Sequence, residues 1–366
     1  MTPDPPRGRG GARLAKPCQP RLRYRTLASL LTADLPPREP LLEGLMKTGD
    51  SLMLWAAPGV GKTMASLSIA LAVAGGGAFL AWPVRTPRRV LVVDGEMNMG
   101  DLRDRLVALL RGAAGCDARL AGENIKLLCR QDQHPDAPFP DLATPEGQEQ
   151  VRRDAEEWQA DLVILDNFST LAEVEDENSA SAMSPVLTFL LKMKQAGLAT
   201  ILVHHSGKGG DTYRGSSKIE ATFEAVVGLK ATTTVKTASH GTAFDLVFTK
   251  YRDKRNGTHV PTTAWLEEEP GGGLKWAWEQ SEEGRLQTLC DLVLSAELPT
   301  QGDLAKRLQV HPSQITRMKA KAIGKGLIRE SDWERAMKAA QDSDSRPADP
   351  LEFSDEDTEE DALVDF

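Results

Sequence analysis

The residues from Leu54 to Thr63 read Leu-Trp-Ala-Ala-Pro-Gly-Val-Gly-Lys-Thr, the spacing G-x-x-x-x-G-K-[ST] with Ala56 in the place of the first glycine. Chemistry explains such a spacing. Gly59 and Gly61 let the loop Ala57, Pro58, Gly59, Val60 and Gly61 wrap a polyphosphate, with every N–H but the one Pro58 lacks free to turn inward. A helix opening at about Lys62 points its positive end at the same charge. Lys62 is then expected to reach the β- and γ-phosphates of ATP. The Thr63 hydroxyl would take one position on Mg²⁺. Ala56 adds a methyl where the turn is expected to be tight.

Two acidic strand ends complete a hydrolytic set. Arg89 to Met97 is a β-branched run that ends on Glu96, placed to polarise the water attacking a γ-phosphate. Asp161 to Asn167 is an aliphatic run closed by Asp166, which can hold Mg²⁺ through water. A third strand, from Thr200, ends in His204 and His205, either of which reads as a γ-phosphate sensor. No carboxylate or cysteine stands at ligand spacing from them, which argues against zinc. Beyond lies a glycine-rich segment with Lys208 and Arg214, expected to touch DNA. Lys250 to Gly257 is a cationic turn, and Arg252 is the candidate arginine finger for a neighbouring subunit's ATP.

The elements needed to position these groups are legible around them. Ser51 to Trp55 reads as a buried strand and Met64 to Ala74 as a helix packed on a sheet. Asp101 to Arg111 is an amphipathic helix, and Asn124 to Cys129 a strand. Thr144 caps a helix that opens on Pro145 and runs through Trp158. Asn167 to Ala182 reads as a polar loop, followed by a helix from Pro185 to Ala196. Late strands fall at Ala225 to Leu229 and Phe244 to Lys250, and Pro270 to Gly273 marks a hairpin. Near the start, Arg25 to Leu31 and Leu41 to Met46 read as short helices separated by prolines.

Composition changes after Ser281 to Gly284, which reads as a linker. Gln301 to Leu308 and Ser313 to Ile323 form a helix-turn-helix pattern, with Ser313 as cap of the second helix and Gly324 to Ile328 as a wing strand. Gln314, Arg317, Lys319 and Lys321 are expected to face outward to DNA. Between Pro299 and Ala340 nine Lys/Arg face four Asp/Glu, a positive balance that suits a nucleic-acid contact.

The chain has 366 residues and a net charge of −9, but the charge is unevenly placed. Residues 341–366 hold eleven Asp/Glu and one Arg, so the acidity belongs to a tail expected to be disordered. Residues 1–25 form a basic, Pro- and Gly-rich tail. The expected layout is a RecA-like P-loop ATPase domain over 26–278, a winged helix-turn-helix over 283–338 and the two tails. Cys18, Cys116, Cys129 and Cys290 lack metal or disulfide spacing and read as reduced thiols of a cytoplasmic protein. No apolar run reaches the length of a membrane span, so no membrane partner is expected.

The ordered set resembles a known family. The P-loop, the strand to Glu96, the Asp161–Asn167 strand, the His204-His205 strand and Arg214-Gly-Ser-Ser217 are similar to those of the RecA-fold, AAA-type ATPases of the RepA type. These are the hexameric replicative helicases of plasmids and phages. The resemblance implies an α/β core with a mostly parallel sheet, a homo-hexamer with ATP and Mg²⁺ at subunit interfaces, and single-stranded DNA in the ring channel. Plasmid members place the finger shortly after the Arg-Gly-Ser-Ser segment, where this chain has Glu224. Lys250 and Arg252 instead resemble the Lys-x-Arg pair of bacterial replicative helicases, with Arg214 the alternative finger. The appended winged helix suggests a mobile-element version with its own duplex contact. A DNA-binding ATPase with a regulatory or recombination role, which does not unwind, stays open beside the helicase. A regulator with a degenerate nucleotide fold is disfavoured, because Lys62, Thr63, Glu96 and Asp166 are all present.

Overall fold

Strands that read as unbroken apolar runs must be covered on both faces, and this requirement sets the architecture. The computed structural model describes residues 22–174, 180–207, 219–232, 241–252 and 260–344. Residues up to Pro37 and residues from Arg38 onward form separate units. In the first, a short helix Leu27–Leu31 is capped by Thr26, whose hydroxyl accepts the Ser29 N–H at 3.2 Å. Most of each expected tail, at 1–21 and 345–366, lies outside the described residues, as do Lys208 and Arg214.

The second unit is built on a nine-stranded sheet. Its strands are β1 (Ser51–Ala56), β2 (Val90–Asp94), β3 (Ile125–Cys129), β4 (Leu162–Asp166), β5 (Ala199–His205), β6 (Ala225–Ala231), β7 (Ala243–Tyr251), β8 (Thr262–Glu269) and β9 (Gly273–Gln280). The order across the sheet is β9-β8-β7-β6-β1-β5-β4-β2-β3. From β6 to β3 every neighbour is parallel, and β6 to β9 form an antiparallel meander. This is the α/β core with a mostly parallel sheet expected from the motifs. The P-loop strand β1 is separated from the β4 strand by β5.

Pleat alternation sorts the strand residues into two cores. Leu52, Leu54 and Ala56 of β1 face α1 (Lys62–Gly75) and α2 (Met99–Gly112). Met53 and Trp55 face α4 (Pro145–Trp158) and α5 (Ala180–Gln195). Between α2 and β3 lies α3 (Ala118–Asn124). α1 is buried almost throughout, which is why its sequence is small and aliphatic. α4 starts as the sequence indicates: the Thr144 hydroxyl accepts the Gly147 N–H at 3.1 Å and Pro145 opens the first turn.

Four local expectations are corrected. Leu41 to Met46 is not a helix but part of a hairpin, Pro40–Leu42 against Met46–Lys47. Gly44 turns it with a φ of +81°, a conformation that ends a helix. The polar loop after Asn167 begins as a short helix, Phe168–Leu171, because Phe168 and Leu171 are fully buried. α5 starts at Ala180, ahead of Pro185, since the apolar stripe Met183, Val186, Leu190 and Met193 runs past the proline. Ser281 to Gly284 is no linker. Ser281 caps α6 (Glu282–Leu294), accepting the Gly284 N–H at 3.0 Å, and this seats the helix directly against Pro261.

α6 packs with α7 (Gln301–Leu308), α8 (Pro312–Gly324) and α9 (Glu330–Asp344) around a third core of Leu286, Leu289, Leu304, Ile315, Ile328 and Trp333. α7 and α8 are two helices joined by the short turn at Gln309 and Val310. The cap of α8 is His311, not Ser313. The wing strand is not formed. Residues 325–329 turn directly into α9, whose Trp333 fills the space beside Ile315.

Gly228 of β6 lies in register with Trp55, and a Cβ there would collide with the indole ring. Gly228→Ala is therefore expected to cost about 1–3 kcal/mol, read as a lowered denaturation midpoint. Adding Trp55→Phe should recover part of the loss. Equal losses in both backgrounds would refute the contact.

Candidate active site

The parallel strands deliver their last residues to one end of the sheet. Register pairs Ala56 with His205 and Asp94 with Asp166. Ala56 ends its strand fully buried and outside the left-handed region, so its methyl causes no strain. The turn falls instead on Gly59 (φ +79°) and Gly61 (φ +116°). A Cβ on Gly61 would lie 2.7 Å from the Thr242 methyl, so the loop is closed from behind by the β7 side. Pro58, Gly59, Gly61, Lys62, Thr63, Asp94, Glu96, Arg105, Asp166, Asn167, His205 and Thr242 line a cavity of about 520 Å³.

Lys62 is buried beneath the loop, its Nζ donating to the carbonyls of Ala56 at 3.0 Å and Ala57 at 3.1 Å. Burial lowers its pKa, and the nearby charges of Asp166 and Glu96 oppose that shift. Asp166 is 5 % exposed. Burial, then the neighbouring Asp94, pushes its carboxyl up to about 6, against the hydrogen bonds from Ser66 and Thr63 and the charge of Lys62. Ser66 Oγ lies 3.1 Å from Asp166 Oδ2. It stands one helical turn beyond Thr63 and so shares its face.

Asp94 organises the turn that carries Glu96. Its Oδ1 accepts the N–H groups of Glu96 at 2.9 Å and Met97 at 2.7 Å. Burial raises the Asp94 pKa, and these backbone bonds counter the rise. Glu96 itself is exposed to the cavity and accepts from Asn167 Nδ2 at 2.7 Å.

The two histidines separate. His205 reaches the cavity, whereas His204 pairs with Trp55 on the other face of the sheet. There it is fully buried, edge-on to Phe168 with centroids 5.1 Å apart. Alternation along a strand allows only one of two adjacent residues to face a ligand, so His204 is corrected to a core residue.

Arg252 does not join its own chain's site. It follows β7, whose Tyr251 pairs with Ala225, and Ala225 pairs with Leu52, so it stands at the amino ends of the parallel strands. There its guanidinium is 3.5 Å from Glu224 and donates to the Ala221 carbonyl.

The α8 residues expected to meet DNA also divide. Gln314 and Arg317 are exposed. Lys319 is not presented outward: its ammonium lies 5.6 Å over the Trp333 ring and 3.4 Å from Glu330. It stands one turn beyond Ile315 and shares that inward face. Lys321 pairs with Glu282 of α6.

Residues given no role by sequence reading are Ser66, Asp94, Arg105, Asn167 and Thr242. Helical spacing from Thr63 could have indicated Ser66. Thr242 enters only through the tertiary fold.

Thr63, Ser66 and Asp166 offer hydroxyl and carboxylate oxygens side by side. Such a hard donor set suits Mg²⁺, which keeps several waters and needs only one or two protein carboxylates. Among the described residues no group of three or more His, Cys, Asp or Glu could hold a metal. No helix is long and apolar enough to cross a membrane among the described residues.

A phosphate-gripping loop, a buried strand-end aspartate and a glutamate on the adjoining strand define a P-loop nucleoside triphosphatase. The AAA domain family matches residues 18–211, more than half of the chain, and the chain belongs to that family. Comparison with curated proteins gives no match. Among solved structures the chain is similar to the KaiC-like protein of the hyperthermophilic archaeon Pyrococcus horikoshii OT3. That likeness is 18 % identical with a TM-score of 0.45, covering 65 % of this chain and 93 % of that one.

Between the ordinary aspartate range and pH 6 the folded state holds a proton on Asp166 that the unfolded chain releases. Stability is therefore lost across this window as pH rises. Asp166→Asn, tested without nucleotide or Mg²⁺, should raise the thermal midpoint at pH 8 and lose this advantage toward pH 4. An unchanged midpoint at both pH values would contradict the burial cost.

Proposed function

We propose that the protein is a ring-forming, ATP-driven DNA helicase of the RepA type, acting in replication of a mobile element. The observation that carries the reading is the convergence of Lys62, Thr63, Asp166, Glu96 and His205 on one cavity at the carboxyl ends of adjacent strands. Lys62 and the loop N–H groups bind and orient the phosphates. Glu96 takes the proton of a water as its oxygen bonds to the γ-phosphorus and the bond to the ADP oxygen breaks. His205, which lines the cavity, senses the γ-phosphate in this reading. Bound Mg²⁺ would be held by Thr63 and, through water, by Asp166, and would neutralise phosphate charge. Arg252 is assigned to a neighbouring subunit's site, since it stands at the opposite end of its own sheet. Lys208 and Arg214, in this reading, contact single-stranded DNA.

The helix-turn-helix supports a second reading. Such a unit reads duplex DNA through its second helix, here with Gln314 and Arg317 exposed. A DNA-bound ATPase with a regulatory or recombination role would use that contact without unwinding.

The helicase reading expects single-stranded DNA to raise the ATPase rate several-fold and a forked duplex to be unwound. Stimulation by duplex with no strand displacement would establish the second reading instead. Arg252→Ala alone should hydrolyse ATP poorly, and mixing it with Lys62→Ala subunits should restore turnover. No recovery in the mixture would exclude Arg252 as the finger.

A further inference from the structure

The Glu96 carboxylate hangs from a turn whose backbone is fixed but whose side chain is exposed to the cavity. Asp94 Oδ1 pins the N–H groups of Glu96 and Met97, and the Gly95 N–H donates to the Asp166 carbonyl at 2.9 Å. Gly95 packs so closely on Thr170 that a Cβ there has no room. What remains loose is the torsional freedom of the glutamate side chain. A carboxylate left to itself here would be drawn toward Lys62, whose charge it already feels, and away from a water in line with the phosphate.

Asn167 removes that freedom. It is 3 % exposed and its Nδ2 donates to Glu96 Oε2 at 2.7 Å. Its own position is set by rigid neighbours. It follows Asp166 of the central strand β4, its N–H lies 3.4 Å from Thr170 Oγ1, and it leads into the helix anchored by buried Phe168 and Leu171. The donor therefore sits on a buried, packed part of the site and the acceptor on an exposed side chain.

We propose that Asn167 is a positioning residue for the hydrolytic glutamate: it holds the Glu96 carboxylate over the phosphate end of the cavity. The proposal rests on the reading of Glu96 as general base. An Nδ2–H donor leaves the second carboxylate oxygen to take the proton of the water, so Asn167 orients the base without replacing it. Its contribution appears in turnover and not in nucleotide binding, because Glu96 is not part of the loop that grips the phosphates.

The test is a mutant cycle on the full chain, with steady-state ATPase and fluorescent-nucleotide binding measured for each variant. Glu96→Gln alone probes the base, and wild-type turnover in it would refute that underlying reading. Given a slow Glu96→Gln, Asn167→Ala is expected to lower kcat about tenfold or more, with KM and nucleotide affinity within about threefold of wild type. Asn167→Asp, which keeps the shape and loses the donor, should be at least as slow. In the Glu96→Gln background Asn167→Ala should add little further loss, because the group it positions is already gone. Thermal midpoints confirm that each variant is folded. Wild-type kcat in Asn167→Ala would overturn the proposal. So would an equal fractional loss in both backgrounds, which would mark Asn167 as part of the scaffold only.

Discussion

Two aspartates buried side by side govern the centre of this protein. Asp94 and Asp166 end adjacent strands in register, each almost wholly removed from water. Burial, before any other cause, pushes both carboxyls toward their neutral forms; the charge of Asp94 adds to the rise at Asp166, and that of Glu96 to the rise at Asp94. The surroundings answer each differently. Asp94 is satisfied by backbone N–H groups and becomes the frame of the Glu96 turn. Asp166 is met by the Ser66 and Thr63 hydroxyls and by the charge of Lys62. A cation bound beside the phosphate loop would draw both carboxyls back to their charged forms. The electrostatic cost of the fold is thus located where binding can relieve it.

The sheet converts sequence distance into proximity. Lys62, Glu96, Asp166 and His205 come from four segments, and parallel strands bring their carboxyl ends to one edge. This crevice is where open α/β sheets place their ligands. Packing on the two faces keeps the strands in register: a shift by one residue would exchange the Ala56 and Trp55 faces, and with them His205 and His204.

Much of this was legible from the residues. The loop, the strand ends and the Thr144 cap are local patterns, because hydrophobic period, glycine placement and capping chemistry are written in neighbouring residues. What escaped was nonlocal. The Asn167–Glu96 bond joins residues 71 positions apart. The separation of His204 from His205 needed the face of the strand, which two adjacent histidines do not reveal. Glycines around Leu327 suggest a turn into a strand, whereas Trp333 draws a helix onto the third core. Ser281 to Gly284 is ambiguous in sequence because serine, glutamate and glycine serve equally in a loop and in a first helical turn. The Ala56 methyl causes no strain because the loop's tight turn lies farther along, at Gly59 and Gly61.

The placement of Arg252 has a geometric consequence. The phosphate loop lies at one end of the strands and this arginine at the other, about 20 Å away for a strand of this length. Copies that served one another through these two places would have to join head to tail. A two-fold pair presents the same patch to itself and leaves its other surface unanswered, so such an association is heterologous. Its polarity would propagate from copy to copy until rotation closes the circle or the assembly continues as a helix.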